Sequence, residues 1–191
     1  MPVLRPGIAG PLDGGGMERI LVALDGSEHS DKALDLASDL AGQYAAELIL
    51  LHVLSDKPLT DAERHMAEVE YLDDLLSSLE PSDPGAGGDP RLRAQRVLQH
   101  YADVARRFRE AIGARLMSGA RARAREKGVQ QVRTLLEDGD PAATILRLAK
   151  GLAVDMIVLG SRGLGDVKGL LMGSVSHKVA HLADCTCVAV K

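Results

Sequence analysis

The chain has 191 residues, 46% of them hydrophobic but only 2% aromatic, with no tryptophan and a formal net charge of −4. That length allows one domain, or one domain with an insertion, around an aliphatic core. The mild negative charge and the lack of a tryptophan to stack on a base argue against a nucleic-acid binder. No apolar run approaches the ~20 residues of a membrane-spanning helix.

Residues 1–17 are rich in Gly and Pro, lack the apolar stretch of a signal peptide, and are expected to form a flexible leader. Residues 19–24 (RILVAL) read as a first strand, and Asp25-Gly26-Ser27 turns the chain. Ser27 or Ser30 caps a helix with Ala33, Leu34, Ala37, Leu40 and Ala41 at helical spacing, expected to end near Gly42. Residues 47–54 (ELILLHVL) are nearly all apolar, as in a strand covered on both faces. A third strand is predicted at 129–136. A helix follows, capped by Asp140, with Pro141 first and Ala143, Ile145, Leu146, Leu148 and Ala149 on its apolar face. A fourth strand at 155–159, a helix at 174–182 and a fifth strand at 186–190 complete the pattern. Alternating strands and helices predict a parallel α/β sheet, because each right-handed crossover needs a helix to return the chain.

Between the second and third strands lies a polar, helix-rich insertion, about residues 56–109. Thr60 to Glu63 has capping-box spacing, and Met66, Val69, Leu72, Leu76 and Leu79 mark a helical stripe. A Gly/Pro loop over residues 81–90 leads to a second helix that begins at Asp89-Pro90, with Gly113 as a candidate bend. Residues 56–83 hold nine acidic and two basic side chains, whereas residues 91–127 hold three acidic and eleven basic. Opposite charge and apolar stripes predict an antiparallel helical hairpin, serving either as a docking element, within a dimer or for another protein, or as a solvated helix pair.

The chemistry concentrates after the fourth strand. Gly160-Ser161-Arg162-Gly163 is followed by nine residues and then Gly173-Ser174 at a helix start. Glycines let backbone N–H groups approach phosphate oxygens closely, and a helix N-terminus adds unpaired donors and partial positive charge. Other phosphate motifs fail. Gly165 and Gly169 have only three residues between them and no Lys-Ser follows, so Lys168 reads as a solvent-facing loop residue. His177, His181, Cys185 and Cys187 have a metal-like composition, but two cysteines on one strand are poor chelating partners, and a zinc site is not expected. Those cysteines, ~6.5–7 Å apart on one strand face, are too far apart for an easy disulfide. They fit a reduced compartment, and the cytoplasm is expected.

These pieces resemble the universal stress protein family: Asp25 after Val22-Ala23-Leu24, His52-Val53 after the second apolar run, and Gly160, Gly163, Gly173 and Ser174 in a G-x2-G-x9-G-S loop. The resemblance covers residues 18–54 and 130–191 and implies a five-stranded, Rossmann-like sheet of order 3-2-1-4-5 with helices on both faces. It implies an ATP-binding protein, or one binding another adenine nucleotide, that acts as a regulator or switch in the stress response. The triphosphate would lie along Gly160, Gly163, Gly173, Ser174 and Val175, with Arg162 offsetting its charge. Asp25 would face the ribose or a nucleotide-bound Mg2+ or Mn2+, and Ala23 and Val53 would line the adenine slot. The family often pairs through its last strand, which makes Cys187, Val188, Ala189 and Val190 a homodimer edge. His52 is either a core histidine or a neighbour of the nucleotide. No nucleophile–base pair is implied by spacing. The alternatives are a weak ATPase or phosphotransferase, and a dimeric scaffold that binds no nucleotide.

Overall fold

The structure, a computed structural model, describes residues 16–54, 90–164 and 172–191. Most of the expected leader, the acidic helix with its Thr60 capping box, the loop at 81–89, and Gly165, Lys168 and Gly169 lie outside the described residues. Along the chain run β1 (Arg19–Ala23), α1 (Glu28–Tyr44), β2 (Glu47–Leu54), α2 (Pro90–Glu126), β3 (Val132–Asp138), α3 (Pro141–Gly151), β4 (Met156–Gly160), α4 (Ser174–Leu182) and β5 (Thr186–Val190). All strand pairs are parallel, in the order β3-β2-β1-β4-β5. This is the predicted fold.

The chain divides into two compact units, one of Met1–Asp56 with Gly113–Lys191, the other of Lys57–Ile112. In the second unit Phe108 is buried and Arg106 pairs with Glu110 one turn on, at 2.9 Å.

Strand residues alternate between two apolar layers. Ile20, Val22, Leu48, Leu50 and Val158 face Ala33, Leu34, Ala37 and Ala41 of α1 and Met117, Ala120 and Ala124 of α2. Leu21, Ile49, Leu51, Ile157 and Leu159 face Ala142, Ile145 and Ala149 of α3 and Val179 of α4. Each fully buried Leu, Ile or Val contributes about 1.5–3 kcal/mol. The ion pairs that join α1 to Arg123 of α2 and to Lys127 just past its end, Asp35 to Arg123 and Asp39 to Lys127 (2.8 Å), are half-exposed and add about 0–1 kcal/mol each. Hydrogen bonding to these aspartates raises the pKa of Arg123 and of Lys127, so both stay charged at any physiological pH.

Several boundaries differ from the pattern reading. β3 begins at Val132, not at residue 129, and extends to Asp138. Val129 is buried, but its N–H donates to Ala124 O at 3.1 Å in the turn that closes α2, with Gly128 at φ +89°. Its apolar side chain fills the core from a turn. α1 runs past Gly42 to Tyr44 and ends at Ala45, which takes the left-handed conformation (φ 52°) that a glycine adopts more easily. In the first turn of α3 the buried residues are Ala142 and Thr144, and Ala143 is exposed. β1 stops at Ala23, and β4 is shifted by one residue to include Gly160.

Gly113 does not break α2. A Cβ there would come within 2.9 Å of Leu136 Cδ1 and 3.0 Å of His52 Cδ2, so the glycine permits close approach of the helix to β2 and β3. At Gly119 a Cβ would meet nothing within 4 Å. The two glycines of one helix should therefore respond oppositely. Gly119→Ala is expected to raise stability by about 0.5–1 kcal/mol, through lower backbone entropy in the unfolded chain. Gly113→Val is expected to lower it by about 1–3 kcal/mol through overpacking. Urea unfolding midpoints of the two variants check both signs.

Candidate functional site

β1 and β4 are neighbours, yet the helices that follow them lie on opposite layers, α1 on one and α4 on the other. Where crossovers diverge in this way a crevice opens at the carboxyl ends of the strands. Asp25 stands at the end of β1. Gly26, at φ +81°, folds the turn so that Asp25 Oδ1 accepts the Ser27 N–H at 3.0 Å, and Ser27 then caps α1 by accepting the Ser30 N–H at 3.2 Å. The other oxygen, Oδ2, accepts the Leu164 N–H at 3.3 Å across the crevice. Ser27 Oγ also donates to Arg162 O at 3.4 Å. The β1 turn therefore holds the loop that leaves β4. A carboxylate oxygen can accept more than one hydrogen bond, so the chemistry of Asp25 is compatible with a ribose hydroxyl or a hydrated divalent cation.

The glycines serve clearance. A Cβ on Gly160 would lie 2.9 Å from His29 C, His29 Cβ and Ser30 N, so only glycine lets the start of α1 rest on the end of β4. A Cβ on Gly163 would lie 2.5 Å from Asp25 Oδ2. Gly173 caps α4 in extended conformation with no side-chain cap, in contrast to Ser27 on α1 and Asp140 on α3. Its N–H donates to Ser161 O at 2.7 Å, and Ser176 Oγ donates to the same oxygen at 2.8 Å. The N-terminus of α4 is thus tied to the residue that follows β4, with Ser174 exposed at its first position.

Ala23, Val53 and Val175 are half-buried and pack on the same apolar layer, the one shared by α3 and α4. Gly160, Arg162 and Gly163 lie at the end of β4 and in the loop after it, with Asp25 across the crevice. The residues expected at a dimer edge lie apart from this group. Cys187, Val188, Ala189 and Val190 belong to β5, which among the described residues pairs with β4 alone. His52 lies on the opposite face from Val53 and donates its Nδ1–H to Leu24 O at 2.7 Å, supporting the turn from below.

Pattern reading passed over three residues, Ser161, Ser176 and His29. Ser161 and Ser176 are buried, and His29 Nδ1 is 3.2 Å from Ser161 Oγ. A serine inside a loop motif or on a helix carries no periodicity of its own, so only the tertiary contacts mark it. His177 and His181 stack at 6.4 Å between ring centroids, and among the described residues no three His, Cys, Asp or Glu side chains converge as a metal cage.

The sequence profile of the Universal stress protein family matches residues 16–191. The chain belongs to the universal stress protein family. Universal stress protein YxiE of Bacillus subtilis is 35% identical over 173 residues, which cover 91% of this chain and 98% of that one. Among solved structures, a universal stress protein in complex with cAMP superposes with a TM-score of 0.58 at 19% identity, covering 92% of this chain and 98% of its own. A universal stress protein family protein from Arabidopsis thaliana with AMP bound gives 0.54 at 17% identity, covering 91% of each chain. At those identities the likeness is one of fold. Among the described residues no helix is long and apolar enough to cross a membrane.

Two outcomes follow for this region. Gly160→Ala sets a methyl group against helix backbone, which cannot swing aside, and should cost about 1–3 kcal/mol in a denaturant titration. Burial pushes both thiols up, with the Asp155 and Asp184 charges adding to the effect at Cys185 and Cys185 adding to it at Cys187. The folded chain therefore holds these protons more tightly than the unfolded chain. Their contribution to stability is full below the ordinary thiol value and is lost as pH rises through the folded values. Iodoacetamide labelling at about pH 7.5 should be slower for the folded chain than for the chain in denaturant.

Proposed function

We propose that the chain binds an adenine nucleotide, with ATP the expected form and Mg2+ or Mn2+ accompanying it, and acts as a nucleotide-dependent regulator in the stress response. The observation that carries this reading is the uncapped N-terminus of α4 tied to Ser161 at the switch point of the sheet. First-turn amides of a helix lack intrahelical partners, and an anion satisfies them while meeting the positive end of the helix dipole. Gly160, Gly163, Gly173, Ser174, Val175 and Arg162 would receive the phosphates, Asp25 the ribose or the metal-bound water, and Ala23 and Val53 the adenine. Family membership and the cAMP and AMP complexes that share this fold support the choice of adenine. The same reading includes a cytoplasmic homodimer paired along β5, whose free edge otherwise invites uncontrolled association. It also makes the helical insertion, about residues 56–109, a docking element for a protein partner. The sequence motif supplies no obvious base to orient water, so any turnover is expected to be low.

Isothermal titration of the purified protein with ATP, with and without Mg2+, tests the assignment. Binding is expected, and Gly173→Val should weaken it by about tenfold or more, because a branched side chain blocks approach to the amides. Radiolabelled ATP incubated with the same preparation should remain largely unhydrolysed. Failure of the wild-type chain to bind any adenine nucleotide would overturn the reading.

A further inference from the structure

We propose that His29 is the positioning residue that holds the Arg162 guanidinium ready for phosphate, so that the number of phosphates this site selects depends on a histidine of α1. The proposal rests on the adenine-nucleotide reading above.

His29 is the second residue of α1, and its backbone and Cβ lie against Gly160. The absence of a side chain on Gly160 lets the imidazole stand over the start of the loop. One ring nitrogen, Nδ1, is 3.2 Å from Ser161 Oγ, and the other, Nε2, is 3.5 Å from Arg162 Nη2. A guanidinium has five N–H donors and no acceptor. Nε2 must therefore supply the lone pair, which leaves the ring proton on Nδ1 to be donated to Ser161 Oγ. The tautomer is fixed by chemistry, and the ring is oriented from both sides.

Ser161 is a rigid partner. It is buried, its N–H donates to Val190 O at 2.6 Å, and its carbonyl oxygen accepts from Gly173 N and Ser176 Oγ. His29 thus ties Arg162 to the same residue that holds the N-terminus of α4. The contact engages one of the five guanidinium donors, and a guanidinium can meet an anion with the others. A long side chain that is already oriented loses less rotamer freedom when it binds, which is the usual gain from preorganisation.

The test compares ATP, AMP and adenosine by isothermal titration on the wild-type chain, His29→Leu, His29→Gln and Arg162→Gln, with a melting curve for each. In His29→Leu, ATP affinity should fall by about five- to tenfold while adenosine affinity changes less than about twofold, because only phosphates meet Arg162. His29→Gln, which keeps an acceptor within reach of the guanidinium, should recover ATP affinity to within about threefold. The double substitution His29→Leu with Arg162→Gln should be no weaker for ATP than Arg162→Gln alone, the non-additivity expected of residues acting as a unit. Equal losses for ATP and adenosine would mean that His29 is merely structural, and unchanged ATP affinity in His29→Leu would mean that it does not position Arg162. Either result overturns the proposal and leaves the nucleotide reading standing. A wild-type chain that binds none of the three overturns both.

Discussion

The parallel pairing of β1 with β4, in which Ala23 lies opposite Leu159, is the constraint on which the rest of the first unit depends. The helix after β1 packs on one layer and the helix after β4 on the other. Two chain segments leave adjacent strand ends in opposite directions, and the gap between them cannot be filled by either crossover. Asp25, the loop from Gly160 and the start of α4 all border that gap because of this topology. Were the neighbours of β1 both reached by crossovers on one layer, the same residues would be covered by helix.

Small side chains then set the distances. Ala33, Ala37 and Ala41 on α1, with Ala120 and Ala124 on α2, let helix backbones sit low on the aliphatic sheet. Because α1 lies close, its first turn touches the end of β4, and Gly160 is the only residue type that tolerates the contact. Close packing in the core is thus what brings Ser27 and His29 to the loop. The energy comes from buried aliphatic area, while the geometry of the site follows from how little volume separates helix from sheet.

Two histidines support the two walls of the crevice in chemically different ways. His52 donates to a carbonyl oxygen, Leu24 O, and an imidazolium could make the same hydrogen bond. His29 accepts from a guanidinium, and an imidazolium could not. The first braces the turn that carries Asp25, and the second reaches the loop that carries Arg162.

Apolar periodicity by itself determined the five strands, the alternation of helices and, with the family motif, the strand order. Those are consequences of which residues leave water, and that information is local. The cap at Asp140 was equally legible, because an oxygen two or three residues from an amide acts within one turn, whereas the choice between Ser27 and Ser30 for α1 fell to Ser27 only in the structure. The tertiary structure decided the rest. Val129 looked like strand because burial and strand pairing leave the same mark on a sequence, yet it fills the core from a turn. Gly113 looked like a bend but is a clearance against Leu136 and His52, residues far away in the chain. Ser161 and His29 carry no role that the sequence alone reveals, because hydrogen-bond partners 132 positions apart leave no local pattern. Periodicity records burial, whereas a site is made by distances between segments that only the packed chain brings together.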